Sequence, residues 1–140
     1  MNRLWNKKTF IISLTLLSGV FLLSSCSEQK DGDWDDNIKL SKKEATFDVL
    51  SDSTTFTTEG DWWWISDIFL NGVAQEGLEN INTAEDSFEI LSDEFIIRRI
   101  RKTELFVKME ENVTGEIRVL EVGFQAGNYF DGVTITQNGE

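Results

Sequence analysis

Three consecutive tryptophans, Trp62, Trp63 and Trp64, form the part of the sequence best suited to bind a ligand. An indole ring offers a large, flat, apolar surface that stacks on other rings and on the apolar face of a sugar. The same rings also fill hydrophobic cores. The stretch therefore leaves two alternatives, a segment of the core or a surface that binds a sugar ring.

Residue types needed for catalysis are scarce. The chain has no histidine to act as a general base near neutral pH, and it has a single cysteine. Adjacent carboxylates such as Asp93 and Glu94 point to opposite faces of a strand, whereas a glycosidase needs two carboxyl groups facing one cleft. We therefore expect a protein that is not an enzyme and that uses no cofactor.

A run of acidic residues gives a weak metal-binding pattern. Asp31, Asp33 and Asp35 have the alternate spacing of a calcium-binding loop. However, Asp36 stands where such a loop needs glycine, and Lys42 stands where it needs the closing glutamate. The sequence therefore predicts no metal site.

A basic cluster, Arg98, Arg99, Arg101 and Lys102, contrasts with the acidic remainder of the chain. We interpret the cluster as an edge strand or a hairpin end, whose charged side chains keep it soluble. The alternative is a contact for an anionic glycan or for an acidic patch on a partner protein.

The first 25 residues have the features of a secretory signal. Three cations precede an uncharged, mostly apolar stretch from 10 to 23, which is too short to span a membrane comfortably. The segment ends in Leu-Ser-Ser-Cys, which resembles the lipobox of bacterial lipoproteins, whose cysteine is acylated and becomes the first mature residue. We expect residues 1–25 to be removed and Cys26 to carry the lipid. The alternative is an ordinary cleaved signal with an incidental thiol.

Residues 26–37 are polar and acidic without periodicity, which predicts a flexible tether. Acidic residues after a lipidated cysteine resemble the export signal that places lipoproteins of Bacteroidetes-type bacteria on the outer face of the outer membrane. The resemblance implies an outer-membrane protein at the cell surface, with the membrane as its partner through the lipid anchor.

Net charge excludes one class of partner. The first 25 residues contain three of the 13 cations and none of the 25 acidic residues, so the mature chain has a net charge near −15. This excess of negative charge repels the phosphate groups of nucleic acids, so we expect no nucleic-acid partner. The remaining chain is long enough for one domain, which we place at residues 38–140.

Beyond Asn37, apolar and polar residues alternate with a period of two, which predicts strands. Turn-forming dipeptides separate them at Asp52, Asn71, Gly127, Asp131 and Asn138. Residues 73–86 are polar and interrupted by Gly77, which predicts a long loop. Seven to nine short strands without helices predict an all-β protein, a single immunoglobulin-like antiparallel β-sandwich.

Asn112-x-Thr114-Gly115-x-x-Arg118 lies between two predicted strands near the C-terminus. Asn112 and Thr114 are expected to bond nearby backbone, Gly115 to adopt a left-handed conformation, and Arg118 to reach an acidic neighbour. With a closing strand that ends in Ile-Thr-Gln at 135–137 and Gly-Asp-Trp at 60–62, this pattern resembles a BACON domain. Members of that family are immunoglobulin-like β-sandwiches of Bacteroidetes-type proteins. The resemblance covers about 38–139 and departs from the family in a long insertion at 71–93.

The resemblance also bears on the tryptophans. In an unbroken strand over 62–70, Trp62 and Trp64 share one face and Trp63 lies on the other. The family's Gly-Asp-Trp implies a core tryptophan, so we expect Trp62 and Trp64 inside and Trp63 outside, unless a bulge shifts the register. Trp63 and Tyr129 are then the candidate carbohydrate-binding residues. The alternative is that the 71–93 insertion covers Trp63.

The resemblance implies a non-catalytic, carbohydrate-binding lipoprotein whose partner is a polysaccharide or host glycan. The alternative is a spacer or protein-interaction module without a glycan ligand, in which every aromatic side chain serves packing.

Overall fold

Nine β-strands contain about half of the residues that the structure describes. The computed structural model describes residues 35–139. The predicted signal peptide, Cys26 and residues 26–34 of the tether therefore lie outside the described residues. The strands are β1 Glu44–Phe47, β2 Asp52–Thr57, β3 Trp64–Leu70, β4 Val73–Ala74, β5 Phe88–Leu91, β6 Phe95–Ile100, β7 Glu104–Met109, β8 Arg118–Ala126 and β9 Tyr129–Gln137. The only helical segment within 35–139 is a single 3₁₀ turn, Leu78–Asn80.

The strands form two sheets. Sheet I has the order β1-β9-β8-β3-β4, and sheet II has the order β2-β7-β6-β5. All strand pairs are antiparallel except β1 with β9, which run parallel. The predicted all-β immunoglobulin-like sandwich of seven to nine strands is confirmed, and the parallel β1–β9 pair is an addition that the turn pattern did not indicate.

The core lies between the two sheets, where alternate side chains of each strand point inward. In β7, Leu105, Val107 and Met109 are fully buried, as their alternation with polar residues predicts. β8 and β9 follow the same rule along their lengths. Burial of these side chains, at about 25 cal/mol per Å² of apolar surface, is the main stabilising contribution to the sandwich.

Two of the predicted turns connect neighbouring strands. Asn71 and Gly72 have φ angles of 52° and 74°, the left-handed pair that a tight hairpin between β3 and β4 requires. Gly127, with φ of 63°, forms the turn between β8 and β9. The turn predicted at Asp131 is wrong, because its pairing with Phe124 lies within the uninterrupted ladder of β8 and β9.

The segment 71–93 is only partly the loop predicted for 73–86. β4 pairs with the end of β3, and the chain then runs through the 3₁₀ turn to β5. Leu78 and Ile81 pack against the core, and buried Thr83 donates a hydrogen bond to the Ile65 carbonyl over 3.0 Å. The segment is therefore anchored on the end of sheet I rather than detached from it.

Candidate functional site

A β-bulge at Ser66 determines which side chains of β3 face the core. Ile65 pairs with Phe124 and Asp67 pairs with Gly123, so Ser66 has no partner opposite it in β8. An extra residue in one strand reverses the side-chain alternation beyond it. The two halves of the strand therefore follow different registers.

The bulge overturns the predicted orientation of the tryptophans. Before it, Trp63 and Ile65 point into the core; beyond it, Ile68 does. Trp63 is 2% exposed, whereas Trp62 is 70% exposed and Trp64 is half-buried. The expectation of a surface Trp63 and a core Trp62 is wrong, and the alternative of a shifted register is correct.

Trp63 is held by both ring contacts and hydrogen bonds. Its ring packs on Phe124 with centroids 4.8 Å apart, and the Arg99 guanidinium lies 3.7 Å from its centroid on a cation–π contact. The indole N–H donates to the Thr58 hydroxyl at 3.0 Å and to the Gly60 carbonyl at 3.2 Å. Trp63 is thus a core residue and offers no free face to a ligand.

Arg99, from the basic cluster, is a buried structural residue. Its guanidinium donates to the carbonyls of Trp63 (2.8 Å), Asp61 (2.8 Å) and Glu85 (3.1 Å), and twice to that of Lys102 (2.6 and 3.1 Å). Burial lowers the pKa of Arg99, while the negative charges of Asp86 and Asp61 oppose that shift. The side chain joins β6 to the segment before β3, to the segment before β5 and to the β6–β7 turn.

The other cations of this cluster lie in ion pairs. The pairs are Arg98 with Glu89, Arg101 with Glu104 at 3.5 Å, and Lys102 with Asp61 at 3.8 Å and with Asp86 at 3.7 Å. The predicted edge strand is wrong, since β6 is an inner strand of sheet II, but the predicted hairpin end is correct for the β6–β7 turn. The cluster is therefore locally neutralised.

Asn112 organises the β7–β8 loop as predicted. Its buried side chain donates to the carbonyls of Glu116 (2.7 Å) and Asn138 (2.9 Å), and its oxygen accepts from the Thr114 backbone N–H and hydroxyl. Gly115 has a φ of 75°, the left-handed conformation expected for it. The motif is a structural device that closes this end of the sandwich.

Arg118 reaches different partners from the one expected. Instead of an acidic side chain, its guanidinium donates to the Gln137 side-chain oxygen, at 2.6 Å from Nη2, and to the Glu110 carbonyl. Gln137 in turn donates to the carbonyls of Val49, Leu50 and Glu110. This buried network has a structural role.

Tyr129, the second predicted site residue, lies on the core side of β9 and is half-buried. Its hydroxyl donates to the Asp131 carboxylate at 3.3 Å, which also accepts from Lys43 at 2.7 Å. Burial, and then the negative charges of Asp131 and Asp36, raise the pKa of Tyr129 to about 12. Neither Trp63 nor Tyr129 lies on the outer face of a sheet, so the predicted pair does not form an exposed site.

The exposed aromatic side chains of sheet I lie instead on its outer face. Trp64 pairs with Gln125, and Gln125 pairs with Phe130, so these three form one row across β3, β8 and β9. Trp62 contacts Trp64 edge-on, with ring centroids 5.8 Å apart and planes at 78°. The Trp62 ring also lies against the β8–β9 turn. A Cβ added to Gly127 in that turn would be 3.5 Å from Cζ3 of Trp62. We call Trp62, Trp64 and Phe130 the aromatic row.

A groove of about 430 Å³ begins beside the aromatic row. Its floor is the pair Gly123 and Gly132, which lie opposite each other on β8 and β9. The Asp67 carboxylate lies over Gly123. A Cβ added to Gly123 would be only 2.5 Å from the nearest oxygen of that carboxylate. The far side is a second row of paired residues, Phe69, Glu121 and Thr134. We call this space the glycine groove.

The glycine groove is lined by polar side chains around its two glycines. Asp67 and Glu121 contribute carboxylates, Thr134 contributes a hydroxyl, and no lysine or arginine is among the residues that line it. Asp67 accepts a hydrogen bond of 2.6 Å from the Ser66 hydroxyl, which fixes one of its oxygens. The arrangement presents acceptors for hydroxyl donors next to exposed rings.

Sequence reasoning missed this face, although two signals for it were present. Phe130 follows Tyr129 directly, and adjacent residues in a strand point to opposite faces. Prediction of Tyr129 as a site residue therefore placed Phe130 on the face away from the site. Gly123 and Gly132 lie in long strands, where glycine often marks a close approach to another group. Their pairing across β8 and β9 depended on a register that the sequence alone did not provide.

Two kinds of feature are absent from the part of the chain that the structure describes. Within 35–139, no group of three or more histidine, cysteine, aspartate or glutamate side chains is placed to hold a metal ion. In the same range, no helix is long and apolar enough to cross a membrane. The predicted anchor residue, Cys26, lies outside it.

Comparisons with known proteins support the fold. No protein-family model and no curated protein matches the chain. Among solved structures, it is similar to the NMR structure of a protein from Bacteroides thetaiotaomicron, with a TM-score of 0.62 and 24% identity. That match covers 81% of this chain and 97% of the other. A Bacteroides ovatus GH5 xyloglucanase in complex with a XXXG heptasaccharide matches with a TM-score of 0.46 and 15% identity, over 74% of this chain and 19% of that one. The first likeness shows a shared fold, and the second carries no argument.

Proposed function

We propose that this protein is a lipid-anchored, non-catalytic protein of the outer-membrane surface that binds a glycan through the outer face of sheet I. The observation that carries the glycan assignment is the aromatic row, in which Trp62 is 70% and Phe130 62% exposed. A cluster of exposed apolar side chains bordered by polar groups is typical of a binding surface.

The chemistry of the face supports a sugar ligand. Indole and phenyl rings stack on the apolar C–H face of a pyranose, while carboxylate, amide and hydroxyl groups bind its hydroxyls. Trp62 and Phe130 supply the rings, Gln125 and Asp67 supply polar groups next to them, and Thr134 supplies a hydroxyl on the far side of the glycine groove. This face replaces Trp63 and Tyr129 as the proposed carbohydrate-binding site.

The resemblance to BACON domains supports the same class of ligand. The lipobox-like sequence before Cys26 supports the lipid anchor, and the acidic residues after it support export to the cell surface. In this proposal the folded domain is the part that meets the polysaccharide or host glycan.

A second function, protein interaction, is favoured by a different end of the sandwich. Leu50, Val113 and Ile117 are exposed aliphatic residues there. Leu50 precedes β2, and Val113 and Ile117 lie in the β7–β8 loop, which the Asn112 backbone N–H ties to the Val49 carbonyl over 2.8 Å. A module that binds another protein through this end needs no glycan ligand.

Affinity gel electrophoresis of the detergent-solubilised full-length protein tests the glycan proposal. We expect retardation by at least one of mixed-linkage β-glucan, galactomannan and pullulan, without release of new reducing ends. Trp62→Ala should weaken the affinity roughly fivefold to tenfold, because a ring contact contributes about 1 kcal/mol. Its free energy of unfolding should change by less than about 0.5 kcal/mol, since the side chain is largely in solvent.

Two variants serve as controls. Leu91→Ala removes an equally exposed side chain, 66% exposed on sheet II, and should leave retardation unchanged. Trp63→Ala should lower the free energy of unfolding by about 3–5 kcal/mol, because it empties a core site. Equal retardation of wild type and Trp62→Ala would contradict the proposed face, and absence of retardation by every polymer would favour the protein-interaction alternative.

A further inference from the structure

The glycine groove and the rows on either side of it define the length of ligand that the outer face of sheet I accepts. On β8, Gln125 lies between Trp64 and Phe130 of the aromatic row, Gly123 lies in the floor and Glu121 lies in the far row. Successive outward positions in a strand are about 6.7 Å apart, so the two rows are separated by about 13 Å along the strands. A ligand that touches both rows must therefore be longer than one sugar ring.

The floor between the rows allows a chain to lie close to the sheet. Gly123 and Gly132 are directly paired, so no Cβ rises from β8 or β9 at that point. Glycine in the interior of a strand weakens the strand and is typical of sites where another group approaches the backbone closely. At Gly123 the group that approaches is the carboxylate of Asp67, whose nearest oxygen would be 2.5 Å from an added Cβ, whereas only backbone atoms lie near the Cβ position of Gly132. The part of the floor left open to a ligand is therefore at Gly132.

The charges around the groove restrict the ligand further. The two ionisable side chains that line it, Asp67 and Glu121, are both acidic, and Glu44 is paired with Thr134 at its β1 side. The cations nearest in sequence to these strands are engaged elsewhere, since Lys43 binds Asp131 on the core side of β9. A uronic acid or sulfate group in the groove would meet negative charge without a compensating cation.

From these observations we infer that the groove selects an uncharged glycan chain that runs along the strands from the aromatic row, over the glycine floor, to Phe69. The inference rests on the proposed glycan function and specifies its ligand class. Hydroxyl groups of the chain donate to Asp67 and Glu121, and C–H faces of separate sugar units contact Trp62 or Phe130 at one end and Phe69 at the other.

Charge selection is tested with matched polymers. The full-length protein is titrated by calorimetry with mixed-linkage β-glucan, galactomannan and pullulan, and with the same polymers after oxidation of their primary hydroxyls to carboxylates. We expect oxidation to weaken binding about tenfold or more at low salt, with a smaller difference at high salt. The double variant Asp67→Asn, Glu121→Gln should reduce this difference, whereas Asp93→Asn with Glu94→Gln, exposed acidic residues elsewhere, should not.

Chain length is tested with oligosaccharides of increasing size from the tightest polymer. Affinity should rise until the oligosaccharide reaches both rows, and Phe69→Ala should remove the gain of the longer ligands while leaving the weak binding of the shortest unchanged. Equal affinity for neutral and oxidised polymers would overturn the inferred charge selection. A monosaccharide that binds as tightly as the polymer would overturn the inference that the ligand is a chain reaching both rows. Either result leaves glycan binding intact. Absence of binding by all neutral and oxidised polymers removes the proposed function and this inference with it.

Discussion

Tyr129 is the only tyrosine of the chain, so its ionisation can be measured without interference from another phenol. Its half-buried hydroxyl lies beside the Asp131 carboxylate, and Asp36 adds a second negative charge. Burial and these charges disfavour the phenolate and raise the pKa to about 12. The unfolded chain should ionise near 10, the ordinary value for tyrosine.

We expect the near-ultraviolet absorbance of the phenolate to appear with a midpoint near pH 12 in the folded protein and near 10 in urea. A group whose pKa is raised by folding stabilises the fold fully below its unfolded pKa, and this contribution is lost as the pH rises through its folded pKa. The part of the stability that depends on Tyr129 should therefore decline between about pH 10 and pH 12. Tyr129→Phe should flatten the stability curve in that window.

Asp131→Asn is the matched control for this titration. It keeps the shape of the partner and removes one of the charges, so the midpoint should move down towards the ordinary tyrosine value. A folded midpoint equal to that in urea would show that Tyr129 is free in solution, which contradicts the environment described here.

Single residues also mark where sequence reasoning fails. The alternation within one strand separates Trp62 and Trp64 from Trp63, but it does not say which side is inside. Both sides of 62–70 are apolar, so the choice depended on whether the strand is continuous. The unpaired Ser66 interrupts the regular alternation of the strand. This interruption is visible only in the pairing of β3 with β8.

At the scale of elements, the strands were predictable where one face is polar. Glu104–Met109 alternates cleanly and forms β7, and the Asn71-Gly72 dipeptide forms the β3–β4 hairpin turn. Asp131-Gly132 has the same turn-forming composition, yet it continues β9 because its ladder with β8 satisfies the backbone. Local preference therefore identifies strands and turns only until long-range pairing overrides it.

Arg99 connects several elements, and its replacement should affect all of them. Its guanidinium donates to four backbone carbonyls in three segments outside β6 and covers the Trp63 ring. A lysine has one nitrogen and cannot reach these carbonyls together, so Arg99→Lys leaves buried acceptors without partners. We expect a loss of at least about 3 kcal/mol in the free energy of unfolding, measured by urea denaturation.

Arg98→Lys is the neighbouring control. Arg98 lies on the exposed side of β6 in an ion pair with Glu89, and exposed ion pairs contribute little. The free energy of unfolding should change by less than about 0.5 kcal/mol. If both variants lost the same small amount, the structural role assigned to Arg99 would be wrong.

At the scale of the whole molecule, the sandwich was predictable and the glycine groove was not. The fold class follows from the number of strands, their lengths and the turns between them, all of which are local properties of the sequence. The groove combines β3, β8 and β9: Gly123 and Gly132 lie on the two strands of one hairpin, whereas Asp67 is far from both in the sequence. Only the strand order and the register bring these residues together.

We expect Cys26 to attach the whole protein to a membrane. Cys26 is the only cysteine in the chain, so a thiol-linked lipid has one site available. Each buried methylene of an acyl chain contributes about 0.8 kcal/mol, so two or more chains hold a protein on a bilayer stably. Cys26→Ala should abolish incorporation of radiolabelled palmitate and block cleavage after Ser25, whereas Ser27→Ala should leave both unchanged.

The location of the variant decides between the anchor and the ordinary signal. With an anchor at Cys26, wild type partitions into the detergent phase of a Triton X-114 extract, and Cys26→Ala is found uncleaved or released. With an ordinary signal, Cys26→Ala is cleaved at the same rate as wild type, and neither protein carries label. Cleaved Cys26→Ala that still sediments with membranes would contradict lipidation directly, because the retention would then depend on the domain itself. In that case the exposed rings of Trp62 and Phe130 would be the first residues to test for membrane contact.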